Sequence, residues 1–141
     1  MTDMLAIGGS ATAALSRKKR FSRLLGFNLA LQSLAALAAI VYPGYMIQLV
    51  GLPLPEESFA VVRIWGMMVI FVSLFQIAGV FAPIEARLDV GIGIAGRFMM
   101  TALYLCLGGA FIVFAVIDGV FAILLSLGFL SAVKAEIMTR P

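Results

Sequence analysis

The sequence predicts an all-α integral membrane protein, an antiparallel four-transmembrane-helix bundle with both termini cytoplasmic. Three observations carry this prediction. Hydrophobic residues make up 63% of the 141 positions and charged residues only 12%, about half the charged share of a soluble domain. Residues 98–133 are almost unbroken hydrocarbon, interrupted by Asp118, and an apolar run of about 18 residues already crosses a bilayer core of ~30 Å. The cations also gather on one side when the apolar runs are laid out as alternating crossings. Each crossing has to be a helix, because backbone groups facing lipid must be satisfied within their own segment and the period-two alternation of a barrel strand is missing.

Residues 1–23 read as a loose, basic cytoplasmic arm. Its cluster Arg17-Lys18-Lys19-Arg20 follows the mildly apolar stretch 4–15 with its Gly8-Gly9-Ser10, which is the wrong order for a signal peptide. The first span is expected at about 24–41, closed by Pro43-Gly44. Pro53 and Pro55 with Glu56 and Glu57 then form an outer loop. A second span at 61–82 ends at Pro83, and the charged link 85–89 leads to a third at about 94–117. Asp118-Gly119 is expected to mark the last turn. The fourth span, 119–133, is short and gains reach from Lys134 snorkelling, ahead of a short cytoplasmic tail at 134–141. No repeat of fixed period divides the chain, so the four spans form one unit.

With the N-terminus inside, Arg17, Lys18, Lys19, Arg20, Arg23, Arg87, Arg97, Lys134 and Arg140 fall on the cytoplasmic side, leaving Arg63 alone among the ten cations outside. That asymmetry suits a multi-pass protein of a bacterial inner membrane. Glu56, Glu57 and Asp118 fall outside, near Tyr42, Tyr45, Phe59 and Trp65, aromatics suited to an interfacial belt.

The polar residues within the spans are the candidate site. Arg97, Thr101, Tyr104 and Gly108 share one stripe of the third helix, continued by Ala115. Asp118 follows Arg97 by about 21 residues, or roughly 30 Å of continuous helix. This places the two at opposite membrane faces, unable to pair. Arg63 shares the outer depth with Asp118 and is the expected ion-pair partner, with Glu56, Glu57 or interfacial water as alternatives. Arg97 has Glu85 and Asp89 within its own side, or snorkels. Asn28, Gln32, Ala35 and Ala39 form a polar and small face on the first helix, and Gly66 and Ser73, with Gln76 nearby, form another on the second. Such faces pack helices together, within the bundle or against a partner subunit or bound lipid, and a carboxamide bonded across helices contributes ~0.6–2 kcal/mol.

Other chemistries find little support. The chain has no histidine and one cysteine, Cys106, so histidine-based catalysis and internal disulfides are excluded and no metal site or cofactor is implied. Gly91-Ile92-Gly93-Ile94-Ala95-Gly96 has the spacing of a dinucleotide fingerprint, yet no strand precedes it; its glycines read as a close helix contact. Met67-Met68 and Met99-Met100 read as core filler. The cations lie beside apolar spans and form no aromatic-interleaved groove, which argues against nucleic acid.

Arg63-Ile64-Trp65-Gly66 opening the second helix, Gly96-Arg97 opening the third and Asp118 opening the fourth resemble small four-helix membrane proteins of the broad DoxX-like type, over about residues 59–133. The resemblance implies an antiparallel bundle, sometimes linked as a small membrane subunit to quinone-dependent oxidoreductase systems. It brings no catalytic motif, only architectural roles for Arg63, Arg97 and Asp118.

The expected function is that of a non-catalytic small membrane subunit that packs against a larger membrane protein or another copy of itself. The alternative is a carrier for a lipophilic molecule (quinone, isoprenoid or lipid) held between helices, with Tyr104, Arg97 or Asp118 orienting its polar end. An enzyme acting alone has only Asp118 with Arg63 as a candidate pair.

Overall fold

The computed structural model describes residues 2–51 and 55–139, with side chains for 12–49, 51 and 55–138. The expected loop breaker Pro53 and the cation Arg140 lie outside the described residues. Five helices follow one another: α1 (Thr2–Val41), α2 (Pro43–Val50), α3 (Phe59–Phe81), α4 (Arg87–Leu107) and α5 (Ile112–Thr139), with single 3₁₀ turns at Glu56–Ser58 and Gly109–Phe111. No strand occurs among the described residues. Among the described residues, four helical segments are long and apolar enough to cross a membrane: Thr12–Val41, Glu56–Phe81, Arg87–Leu107 and Gly109–Met138.

The N-terminal arm is not loose. It is the first half of a single 40-residue helix, about 60 Å long at 1.5 Å per residue. Ala13, Ala14, Leu15, Arg17, Lys18, Lys19 and Arg20 are all strong helix formers, and no proline separates them from the span. The helix stops at Val41 because Tyr42 leaves the helical region (φ −125°, ψ 60°) and Pro43 begins α2 at its first turn, where a missing N–H costs nothing. The expected Pro43-Gly44 break is therefore a joint between two helices. Gly51, at φ 69°, closes α2.

The last two crossings differ from the expected 94–117 and 119–133. The turn lies at Gly108 and Gly109, both at positive φ (65° and 56°), a conformation that glycine adopts without Cβ strain. Asp118-Gly119 is ordinary helix within α5, whose 28 residues run well past Val133. Gly108 is thus a turn residue and does not extend the Arg97 stripe. The third crossing starts earlier, at Arg87, and its 21 residues span about 31 Å.

Packing is antiparallel between neighbours, as paired contacts show. Gly66 of α3 lies on Ala36 and Ile40 of α1, whereas Gly79 further along α3 lies on Leu25. Phe21 and Phe27 of α1 meet Phe129 and Phe121 of α5. Close approach depends on glycine: a Cβ added at Gly66 would stand 2.7 Å from the Ala36 carbonyl oxygen, and one at Gly93 would stand 2.6 Å from the Gln76 side chain. Phe21, Leu25, Leu29, Val90, Leu125 and Ala132 make one buried cluster at the end of the bundle that carries the basic residues of α1. Within the 18-residue apolar stretch of each crossing only 17–28% of residues are buried, so most of their side chains are open to the surroundings, which suits lipid and not water.

Candidate functional site

Arg97 and Asp118 meet in the interior of the bundle, contrary to the expectation that they lie at opposite membrane faces. The turn at Gly108 and Gly109 folds α5 back along α4, and Asp118 follows it by about nine residues, or about 14 Å of helix. This depth is near the middle of a ~30 Å hydrocarbon core. Arg97 Nη1 donates to Asp118 Oδ1 at 2.6 Å, with the arginine side chain 9% and the aspartate 24% exposed. The other terminal nitrogen of Arg97 donates to Gln32 Oε1 on α1. The pair therefore joins three helices through one guanidinium, whose planar fork serves two acceptors at once. The Arg97 carbon Cζ also lies 5.9 Å from the Phe121 ring centre, within cation–π range.

The rest of the stripe supports this pair. Thr101 donates its hydroxyl to the Arg97 carbonyl at 2.8 Å, and its methyl lies where a Cβ on Gly119 would approach to 3.3 Å. Gly119 therefore allows α5 to come close enough for Asp118 to reach Arg97. Asn28 is buried one turn from Gln32, and neither its Nδ2 nor Arg97 Nε has a hydrogen-bond partner among the described residues. On α3, Gly66, Ser73 and Gln76 are buried as a narrow stripe, and Ser73 donates back to the Val69 carbonyl at 2.7 Å. Ala39 is buried and Ala35 half-buried. Both expected interface faces are thus occupied within the bundle.

Arg63 has none of the expected carboxylate partners; it makes no ion pair among the described residues. Its Nε donates to the Ile40 carbonyl at 3.2 Å. Ile40 is in the last turn of α1, where carbonyls lack intrahelical partners and the helix dipole favours a cation. Glu85, the expected companion of Arg97, is instead 3.7 Å from Lys18.

Above the ion pair, towards the α4–α5 turn, lies an apolar cavity of about 310 Å³. Met46 and Ile47 of α2, Trp65 of α3, Met100 and Tyr104 of α4 and Phe114 of α5 contribute to its wall. Tyr104 stacks on Phe111 with ring centres 6.0 Å apart and planes within 7°, and it tilts against Phe114 at 5.7 Å. Trp65 and Tyr104 are the lining residues whose side chains carry an N–H or O–H group, among walls otherwise of hydrocarbon and thioether. Sequence reasoning singled out Tyr104 but missed Phe111, Phe114 and the α2 residues, because their contribution depends on where the turn lies. The adjacent glycines Gly108-Gly109 were the available signal.

This arrangement has binding groups and few reactive ones. No group of three or more His, Cys, Asp or Glu side chains capable of holding a metal occurs among the described residues. Asp118, the one acid at the site, is engaged by Arg97. Comparison with protein-family models, with curated proteins and with solved structures finds no match for the chain.

Proposed function

We propose that this protein binds a lipophilic molecule of the quinone or isoprenoid class inside its helix bundle. The observation that carries the reading is the apolar cavity of about 310 Å³ with Tyr104 and Trp65 in its wall. Ligand pockets begin at about 300 Å³ and combine apolar walls with a few fixed polar groups. A volume at the small end of that range suits a ring or chain head, with the tail leaving between the helices into lipid. The Arg97–Asp118–Gln32 network supports the reading as a rigid floor that holds α1, α4 and α5 together. The proposed orientation has both termini in the cytoplasm, since the basic residues of α1, together with Arg87 and Lys134, flank one end of the crossings and Arg63 the other.

The test is purification of the tagged chain from its native membrane in mild detergent, with mass spectrometry of the co-eluting small molecules. A single lipophile at about one per chain, retained by the wild type and lost from Met100→Trp, is the expected result. A chain that carries only bulk lipid, unchanged by Met100→Trp, would overturn the reading.

A second reading, a non-catalytic subunit of a larger membrane assembly as in the DoxX-like resemblance, rests on α4. An added Cβ at Gly91 would meet nothing within 4 Å, and Ala95, four residues on and so on the same face of the helix, is exposed, which offers a small-residue surface that another helix can approach closely. Cross-linking from Gly91→Cys in native membranes tests it: a discrete adduct supports the subunit reading, and none opposes it.

A further inference from the structure

We infer that the groove between the basic turn of α1 and the end of α3 is a binding site for the headgroup of an anionic glycerophospholipid. Leu15, Lys18, Lys19, Ser22 and Arg23 of α1 and Phe81 of α3 line this groove, which encloses about 390 Å³. Its chemistry is that of an amphiphile's neck: three cations and a hydroxyl beside two exposed apolar side chains.

Three features place a lipid there. The first is depth. Phe81 is the last residue of the α3 crossing, and because Gly79 packs on Leu25 and Gly26 lies against Val80, Phe81 is level with the Arg23 turn of α1. The groove therefore stands where hydrocarbon gives way to headgroups. The second is direction. On a helix advancing about 100° per residue, Leu15, Lys18, Lys19, Ser22 and Arg23 fall within one arc of about 140°, whereas Arg17 and Arg20 fall on the opposite side of α1. The groove cations form a facing set and not a ring around the helix. The third is the apolar element. The Phe81 ring is 81% exposed, beside the cations, where an acyl chain would cover it while the phosphate meets Lys19, Arg23 and the Ser22 hydroxyl. Lys18 is shared with Glu85 at 3.7 Å, which subtracts from the local positive charge.

The experiment uses the full chain in detergent and in nanodiscs, with phosphatidylglycerol, phosphatidylcholine and inorganic phosphate as separate probes, read by native mass spectrometry and thermal unfolding. Phosphatidylglycerol is expected to bind and to raise the unfolding midpoint where phosphatidylcholine does not. Lys19→Gln with Arg23→Gln should weaken it at least about tenfold. Arg17→Gln with Arg20→Gln, an equal loss of charge, should weaken it far less, and Glu85→Gln should strengthen it. Lys19→Arg with Arg23→Lys should restore binding, which separates loss of the site from loss of the fold. Equal loss from the two neutralised pairs would overturn the site in favour of diffuse attraction. Stabilisation by inorganic phosphate alone, or no preference for phosphatidylglycerol, would overturn the lipid assignment. None of these outcomes depends on occupancy of the cavity beside Tyr104.

Discussion

The Arg97 guanidinium and the Asp118 carboxylate meet at 2.6 Å although they belong to different arms of the α4–α5 hairpin. Arg97 precedes Leu107 by ten positions and Asp118 follows Gly108 by ten, so equal lengths of helix bring them to one depth. At that depth a lone charge costs about 2.5–3.5 kcal/mol on insertion scales, and each residue removes most of that cost for the other.

Breaking the pair from one side should therefore be worse than removing it. Asp118→Leu alone is expected to destabilise the bundle by about 3–5 kcal/mol, because it leaves Arg97 buried and uncompensated. Adding Arg97→Met should recover most of that loss. Reversible unfolding in mixed micelles compares the two; a double variant no more stable than the single one would contradict the account.

Glycines of similar appearance should respond oppositely. Gly66→Ala pushes a methyl towards the Ala36 backbone oxygen, which cannot move as a side chain can, and a loss of about 1–3 kcal/mol is expected. Gly91→Ala meets open space and should gain up to about 0.5–1 kcal/mol from helix propensity. The same unfolding assay measures both.

Gly108 holds φ 65° and ψ −162°, a region of backbone space that is essentially closed to residues with a Cβ. Gly108→Ala is expected to cost of order 1–3 kcal/mol and to lower the yield of folded protein. Size-exclusion profiles alongside the wild type provide the check.

How much of this was legible in the sequence depended on whether the signal was local. Apolar run lengths and Pro43 or Pro83 mark ends of helices without reference to other segments, and the second crossing was found nearly in full. The sequence misplaces the hairpin turn because Asp118 reads as a residue that has to escape lipid; its partner Arg97 is near in space but remote in sequence. The same error put Gly108 into a helical stripe and hid Phe111 and Phe114 from the cavity. Arg63 eludes the sequence for a related reason: its acceptor, the Ile40 carbonyl, is a backbone atom orphaned at a helix end, and no side-chain pattern announces it.

Orientation can be read by chemistry at single thiols. Cys106 is the native thiol and is exposed one residue before the end of α4, so in native membranes it should react with a lipid-permeant maleimide. In a Cys106→Ser background, Ser16→Cys on the basic half of α1 should be labelled by a charged maleimide only in inside-out vesicles. Labelling from outside intact cells would reverse the proposed topology.

The two-glycine turn also constrains how the protein is made. α4 alone carries an unpaired cation at its centre and α5 alone an unpaired anion, so neither arm is comfortable in lipid until the other arrives. With so short a connection between them, the arms can enter together and discharge each other during entry. The hairpin is then the unit of biogenesis: a ribosome that stalls between α4 and α5 should leave α4 poorly inserted and open to quality-control proteolysis, whereas release of the finished hairpin should secure both arms in one step.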